Sequence, residues 1–114
     1  MKLLKAIIRQ SKIDEVKQAL VKVGVQGVNI GKMEGYTRDK VRKEVYRAAE
    51  YEIDTVDMAL LETVIDDDVA QTAVNTIVNT GSTGHFGDGR VFLIDVALAA
   101  DIRTGTTGSE AINR

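Results

Sequence analysis

The chain contains no cysteine, no proline and no tryptophan, and only one histidine. Without cysteine there is no disulfide framework and no thiolate metal centre. One histidine cannot build a His-based metal cluster. Three Tyr and two Phe are too few for a platform that stacks nucleobases. Charge of one sign is also missing: the formal net charge is −2, so the chain carries no basic footprint for nucleic acid. No apolar run reaches the ~18 residues that suggest a membrane span, and nothing predicts direct membrane insertion. Lys2, Lys5 and Arg9 interrupt the apolar N-terminal stretch, so it does not read as a secretory signal. A cytoplasmic protein is expected.

What is present is a chain of 114 residues with 44% hydrophobic side chains, enough for one domain with a modest core. Leu3 to Arg9 reads as a strand. A helix opens at Ser11 or Lys12, with Ile13, Val16, Leu20 and Val23 on one face. Asp14 and Glu15 favour its first turn, and Gly24 stops it. Val25 to Glu34 reads as a second strand ended by Gly35. Thr55 to Ile65 reads as a third. Asp66, Asp67 and Asp68 supply an N-cap and an acidic first turn for a second helix through Val69, Ala73, Val74, Ile77 and Val78, ending near Gly81. Arg90 to Val96 is the fourth strand, and residues 97–114 form a tail with a second glycine turn, Ile102 to Gly108. The order β-α-β, long loop, β-α-β is a doubled unit. It predicts an α+β, ferredoxin-like βαββαβ fold with an antiparallel sheet and both helices on one face. The other face carries apolar residues such as Ile7, Val64 and Phe92. An uncovered apolar face marks an interface, so a homo-oligomer with the sheets turned inward is expected.

Two stretches stand out. Thr83-Gly84-His85-Phe86-Gly87-Asp88-Gly89-Arg90 joins the second helix to the fourth strand. Its glycines let the backbone turn and approach a ligand closely. Successive N–H groups in such a turn can cradle an anion, and Arg90 can grip phosphate through two N–H groups. The loop matches neither G-x-x-x-x-G-K-[ST] nor G-x-G-x-x-G, and it also suits a plain helix-to-strand connection. The second stretch, Tyr36 to Asp54, is the most polar of the chain. It holds the bases Arg38, Lys40, Arg42, Lys43 and Arg47 and the acids Asp39, Glu44, Glu50, Glu52 and Asp54. A long loop of this kind is functional, disordered or a solvated hairpin extension.

At this point the residues resemble a known family. Thr83-x-x-x-Gly87-Asp88-Gly89-Arg90-Val91-Phe92-Leu93 is similar to the C-terminal signature of the PII signal-transduction proteins. Tyr46-Arg47-Ala48-Ala49-Glu50-Tyr51 resembles that family's T-loop signature, with Ala48 where glycine is usual. Ile102-Arg103-Thr104-Gly105-x-x-Gly108, the opening Ala6-Ile7-Ile8-Arg9 and the turn Gly24-Val25-Gln26-Gly27 fit as well.

The resemblance implies a single PII-like domain over residues 1–114. Its T-loop would span about 37–54, its glycine B-loop about 82–90 and its C-terminal loop about 97–114. It implies a homotrimer that binds ATP or ADP between subunits, with Mg²⁺ an optional companion of ATP. The T-loop would be mobile and would dock on a transporter, enzyme or regulator. By position, Gly87, Asp88, Gly89 and Arg90 would hold phosphates, with Arg38 and Arg103 adding positive charge. Gly35, Tyr36 and Thr37 would line the cleft beside Ile7. Asn29, Glu62 and Val64 would meet adenine and ribose from the adjacent subunit. Tyr46 and Tyr51 would be docking or modification residues. No catalytic residue is implied.

The chain departs from the family at Gln10 (usually Pro), Asp39 (glutamine in sensors), Met58 (lysine in sensors) and Asp101 (commonly a base). The glutamine and lysine bind 2-oxoglutarate in typical members, so this chain is expected not to sense it. Two other classes stand beside an adenylate sensor: a small phosphotransfer enzyme using His85, and a structural or metal-tolerance trimer.

Overall fold

The computed structural model describes residues 1–41 and 50–113, with 37–41 and 50–54 described by their backbone alone. The order is β1 (Lys2–Arg9), a 3-10 turn (Gln10–Lys12), α1 (Ile13–Lys22), β2 (Asn29–Val41), β3 (Glu50–Ile65), α2 (Asp67–Gly81), β4 (Gly89–Asp95) and α3 (Ser109–Ile112). The strands form one sheet in the order β2-β3-β1-β4. Every neighbouring pair is antiparallel. This is the expected ferredoxin-like architecture.

The period-2 alternation of β1 sets the layers. Leu4, Ala6 and Ile8 are buried, as are Ala59, Leu61 and Ile65 of β3. They meet Val16 and Leu20 of α1 and Ala70, Ala73 and Ile77 of α2 in one core cluster. The i, i+3, i+7 spacing thus places α1 as the sequence predicts. Burial of such side chains contributes roughly 1.5–3 kcal/mol each. α2 runs through Val78 to Gly81 as expected, with Val78 on its outer side at 54% exposure while Ala70, Ala73 and Ile77 fill the space over the sheet.

The opposite face repeats the rows Ile7–Leu60–Arg90, Lys5–Glu62–Phe92 and Leu3–Val64–Ile94 across β1, β3 and β4. No helix of the described chain covers it. Phe92 and Ile94 remain 44% and 47% exposed.

Several boundaries differ from expectation, and β2 opens at Asn29, not at Val25, because residues 25–28 form the connection after α1. β2 does not stop at Gly35; it runs on to Val41, paired with β3 as far as Val41↔Glu50. Gly35 is not among the left-handed glycines. A Cβ there would lie 3.2 Å from Met58 Cγ. Gly35 thus serves a close approach inside a strand, not a turn. The ends of the segment read as a loop, 36–41 and 50–54, are therefore a hairpin extension. Residues 42–49, including Tyr46, lie outside the described residues.

The tail is not loop throughout either. Ala100 bridges Thr107, and α3 follows. Asp66 sits at the N-cap position of α2 but makes no side-chain cap bond. Its carboxylate accepts from Ser109 Oγ at 2.5 Å and Asn113 Nδ2 at 2.6 Å, tying the tail to the sheet end. These bonds, Ser109 first, hold the Asp66 carboxyl below its usual range.

Candidate functional site

The glycine loop is built around one carboxylate. Asp88 accepts from Thr83 Oγ1 at 2.5 Å, from the Thr83 N–H at 2.7 Å and from the Gly84 N–H at 3.0 Å. Arg9, at the end of β1, adds Nε to the same carboxylate at 2.9 Å. Its Nη2 donates to the Phe86 carbonyl at 2.9 Å. The Thr83 hydroxyl, then Arg9 and the two backbone N–H groups, hold the Asp88 carboxyl far below the usual carboxylate range. Stacked donors favour the ionised form. Asp88 is thus the internal knot of the loop.

The backbone needs its glycines. Gly84, Gly87 and Gly89 have φ of +81°, +94° and +110°. Gly89 is the most constrained, because a Cβ there would fall 1.7 Å from the Ile7 carbonyl oxygen. This close approach lets β4 pair with β1 at Ile8↔Gly89 immediately after the loop.

The loop overhangs a cleft of about 460 Å³. Gly87, Asp88, Gly89 and Arg90 form one wall, and Ile7, Gly35 and Tyr36 belong to the floor and far side. Seven of the residues singled out in the sequence thus come together. Val56, Met58, His85 and Phe86 line the same cleft and were not among the nucleotide-site residues. Met58 is buried and brings no charge. His85 Nδ1 lies 3.1 Å from the Thr83 carbonyl oxygen, a backbone contact that supplies no general base to activate a nucleophile.

Asn29, Glu62 and Val64 do not reach this cleft within the chain. Asn29 and Glu62 pair with each other on β2 and β3, on the exposed sheet face. Val64 lines a separate 190 Å³ cavity with Gly24, Gln26 and Asn113. Arg103 stands in the tail turn, where its N–H and that of Thr104 donate to Asp101 Oδ1 at 2.8 and 3.2 Å. Thr37 and Arg38 continue β2 opposite Asp54 and Ile53, and Tyr51 lies on β3 opposite Lys40.

Sequence reasoning missed two residues that organise the site. One is Arg9, which was visible within Ala6-Ile7-Ile8-Arg9 but had no assigned partner. The other is Gln10. Its Nε2 donates to the Met58 carbonyl at 3.0 Å and more weakly to that of Met33 at 3.4 Å. A proline there could not make this clamp.

Fold and cleft together define a ferredoxin-like α+β protein with a glycine-loop pocket at one end of its sheet, below a long β2–β3 hairpin. The sequence model described as Nitrogen regulatory protein P-II matches residues 1–106. The chain is 42% identical over 112 residues to nitrogen regulatory protein P-II 1 of Escherichia coli K12, covering 98% of this chain and 100% of that one. It is equally close, at 42%, to nitrogen regulatory protein P-II of Bradyrhizobium diazoefficiens. Among solved structures it matches a B. subtilis GlnK-ATP complex with a TM-score of 0.81 and 26% identity, covering 96% of each chain. Arabidopsis thaliana PII bound to citrate gives 0.79 and 27%, covering 99% of this chain and 90% of that one. The chain belongs to the PII family of nitrogen regulatory proteins, which are regulators and not enzymes.

Proposed function

We propose that this single PII-like domain senses ATP and ADP and passes their state to a protein partner. The carrying observation is the cleft itself: a knotted glycine loop facing the base of the hairpin over about 460 Å³. That volume falls in the ~300–1,000 Å³ range of small-molecule sites. Gly87, Gly89 and Arg90 take the phosphates, with Asp88 shaping the loop. Gly35, Tyr36 and Thr37 close the far side beside Ile7, and Arg38 and Arg103 add charge. Asn29, Glu62 and Val64 sit too far along the open sheet face to serve the same cleft. They suit an adjacent subunit's nucleotide, which requires a homo-oligomer, in this reading a homotrimer. The GlnK-ATP complex and the citrate-bound plant PII support an anionic ligand for this fold. Among the described residues no acidic cluster could hold a metal, so Mg²⁺ would enter on the phosphates of ATP.

The T-loop stretch over 37–54 is the docking element toward an enzyme, transporter or regulator, with Tyr46 and Tyr51 as docking or modification residues. Among the described residues no helix is long and apolar enough to cross a membrane. A cytoplasmic site of action fits this assignment. Calorimetric titration with ATP and with ADP tests the proposal, and binding of neither removes it.

A further inference from the structure

One side chain of β1 secures the glycine loop from beneath. Arg9 spreads its two bonds across Gly87: Nη2 to the Phe86 carbonyl on one side and Nε to Asp88 Oδ1 on the other, each at 2.9 Å. Arg9 and Asp88 are both partly buried, with side chains 22% and 21% exposed. The loop from Thr83 closes on Asp88 through the bonds of Thr83 and Gly84. Arg9 is the link from that closed loop to the sheet.

We propose that Arg9 is the positioning residue of the phosphate-binding loop: it sets the loop's shape and offsets the Asp88 charge without touching the ligand. This deepens the nucleotide assignment and rests on it. A planar fork with two fixed N–H directions can hold a carbonyl and a carboxylate on either side of one glycine, which a single ammonium does less well. Without the fork, Gly87 loses its restraint and an uncompensated carboxylate stands in the cleft wall. Both effects oppose a polyphosphate. Neither touches the adenosine end of the ligand. The consequence is selective: affinity for ATP falls and affinity for adenosine does not.

Arg9→Met tests this, because it keeps an apolar stem and deletes the fork. ATP binding should weaken about tenfold or more, the cost of a charge-assisted bond. Adenosine affinity should stay within about twofold, since independent contacts add. The Thr83 and Gly84 amides should lose hydrogen-exchange protection. Asp88→Ala removes both oxygens that accept from Arg9, Thr83 and Gly84, and so keeps the inference testable if Arg9→Met folds poorly. The double variant should bind ATP no worse than the weaker single one. Equal losses for ATP and adenosine would show a merely structural role and overturn the inference. So would ATP binding and amide protection that match the wild type. A wild-type protein that binds no ATP refutes the nucleotide assignment itself, a result distinct from either of these.

Discussion

Gly87 and Gly89 stand two residues apart and should fail in different ways. A Cβ at Gly87 meets only Arg9 Nη2, at 3.4 Å, so Gly87→Ala mainly carries the cost of a positive φ. That is about 1–2 kcal/mol, and the protein should fold with weakened ATP binding. A Cβ at Gly89 overlaps the Ile7 carbonyl at 1.7 Å, and the backbone on both sides is fixed by strand pairing. Gly89→Ala should cost about 2–6 kcal/mol and lower the melting temperature by about 10 °C or more. Thermal melts of the two variants side by side check this; equal melting temperatures would refute it. Asp88 gives a pH signature. Its carboxyl lies far below the usual value when folded, so the stabilisation it confers is present above about pH 4, the ordinary Asp range. It is lost as pH falls from there toward the depressed folded value. The Thr83 and Gly84 amides should lose protection over that acid window in the wild type and show no such step in Asp88→Asn. Met58 forms part of the cleft without charge, and a buried carboxylate without a cation is costly. 2-Oxoglutarate titrated into the Mg-ATP-saturated protein should therefore show no micromolar binding, and Met58→Lys with Asp39→Gln should recover some.

At the scale of elements, most of the fold was legible, and the hairpin stood only as one of several readings. The helices declared themselves because Ile13, Val16 and Leu20, or Ala73 and Ile77, repeat at the helical period over a core. The hairpin was not singled out for two reasons. Gly35 looks like a stop because glycine usually marks a turn, whereas here it makes room for Met58. The residues beyond it are charged, and a ladder held by backbone bonds needs no apolar pattern. The glycine loop was legible from its composition as a tight turn that suits either an anion or a plain helix-to-strand connection. Its knot was not, since Arg9 and Asp88 lie 79 positions apart in the chain. The hairpin past the sheet is two strands alone, and such a ribbon is marginal in water. Hydrogen exchange should therefore show protection falling steadily from Gly35↔Val56 toward Val41↔Glu50. Core-like protection throughout that stretch in the free protein would count against a segment that waits for a partner to order it.

For the whole molecule the deciding feature is the sheet face that its own helices leave bare. Leu3, Ile7, Leu60, Val64, Phe92 and Ile94 lie on it in register across three strands. Apolar area of this kind is stabilised when removed from water, by about 25 cal/mol per Å². A second copy of the same sheet offers a matching surface. Closed symmetry around this face also accounts for the residues the cleft leaves out, since Asn29, Glu62 and Val64 would then meet the neighbouring subunit's ligand. The chain should therefore be a homotrimer in light scattering at micromolar concentration. Phe92→Asp should dissociate it, because like charges would gather where the sheets meet and each would be buried without a partner. The glycine loop lies beyond the end of that face, anchored through Arg9 and Gly89 to β1. The dissociated variant should keep its helical circular dichroism and yet lose ATP affinity, because in the proposed assignment each site draws on residues from two subunits. A monomeric wild type would reject the assembly, and a monomeric Phe92→Asp that still binds ATP fully would place the whole site within one chain.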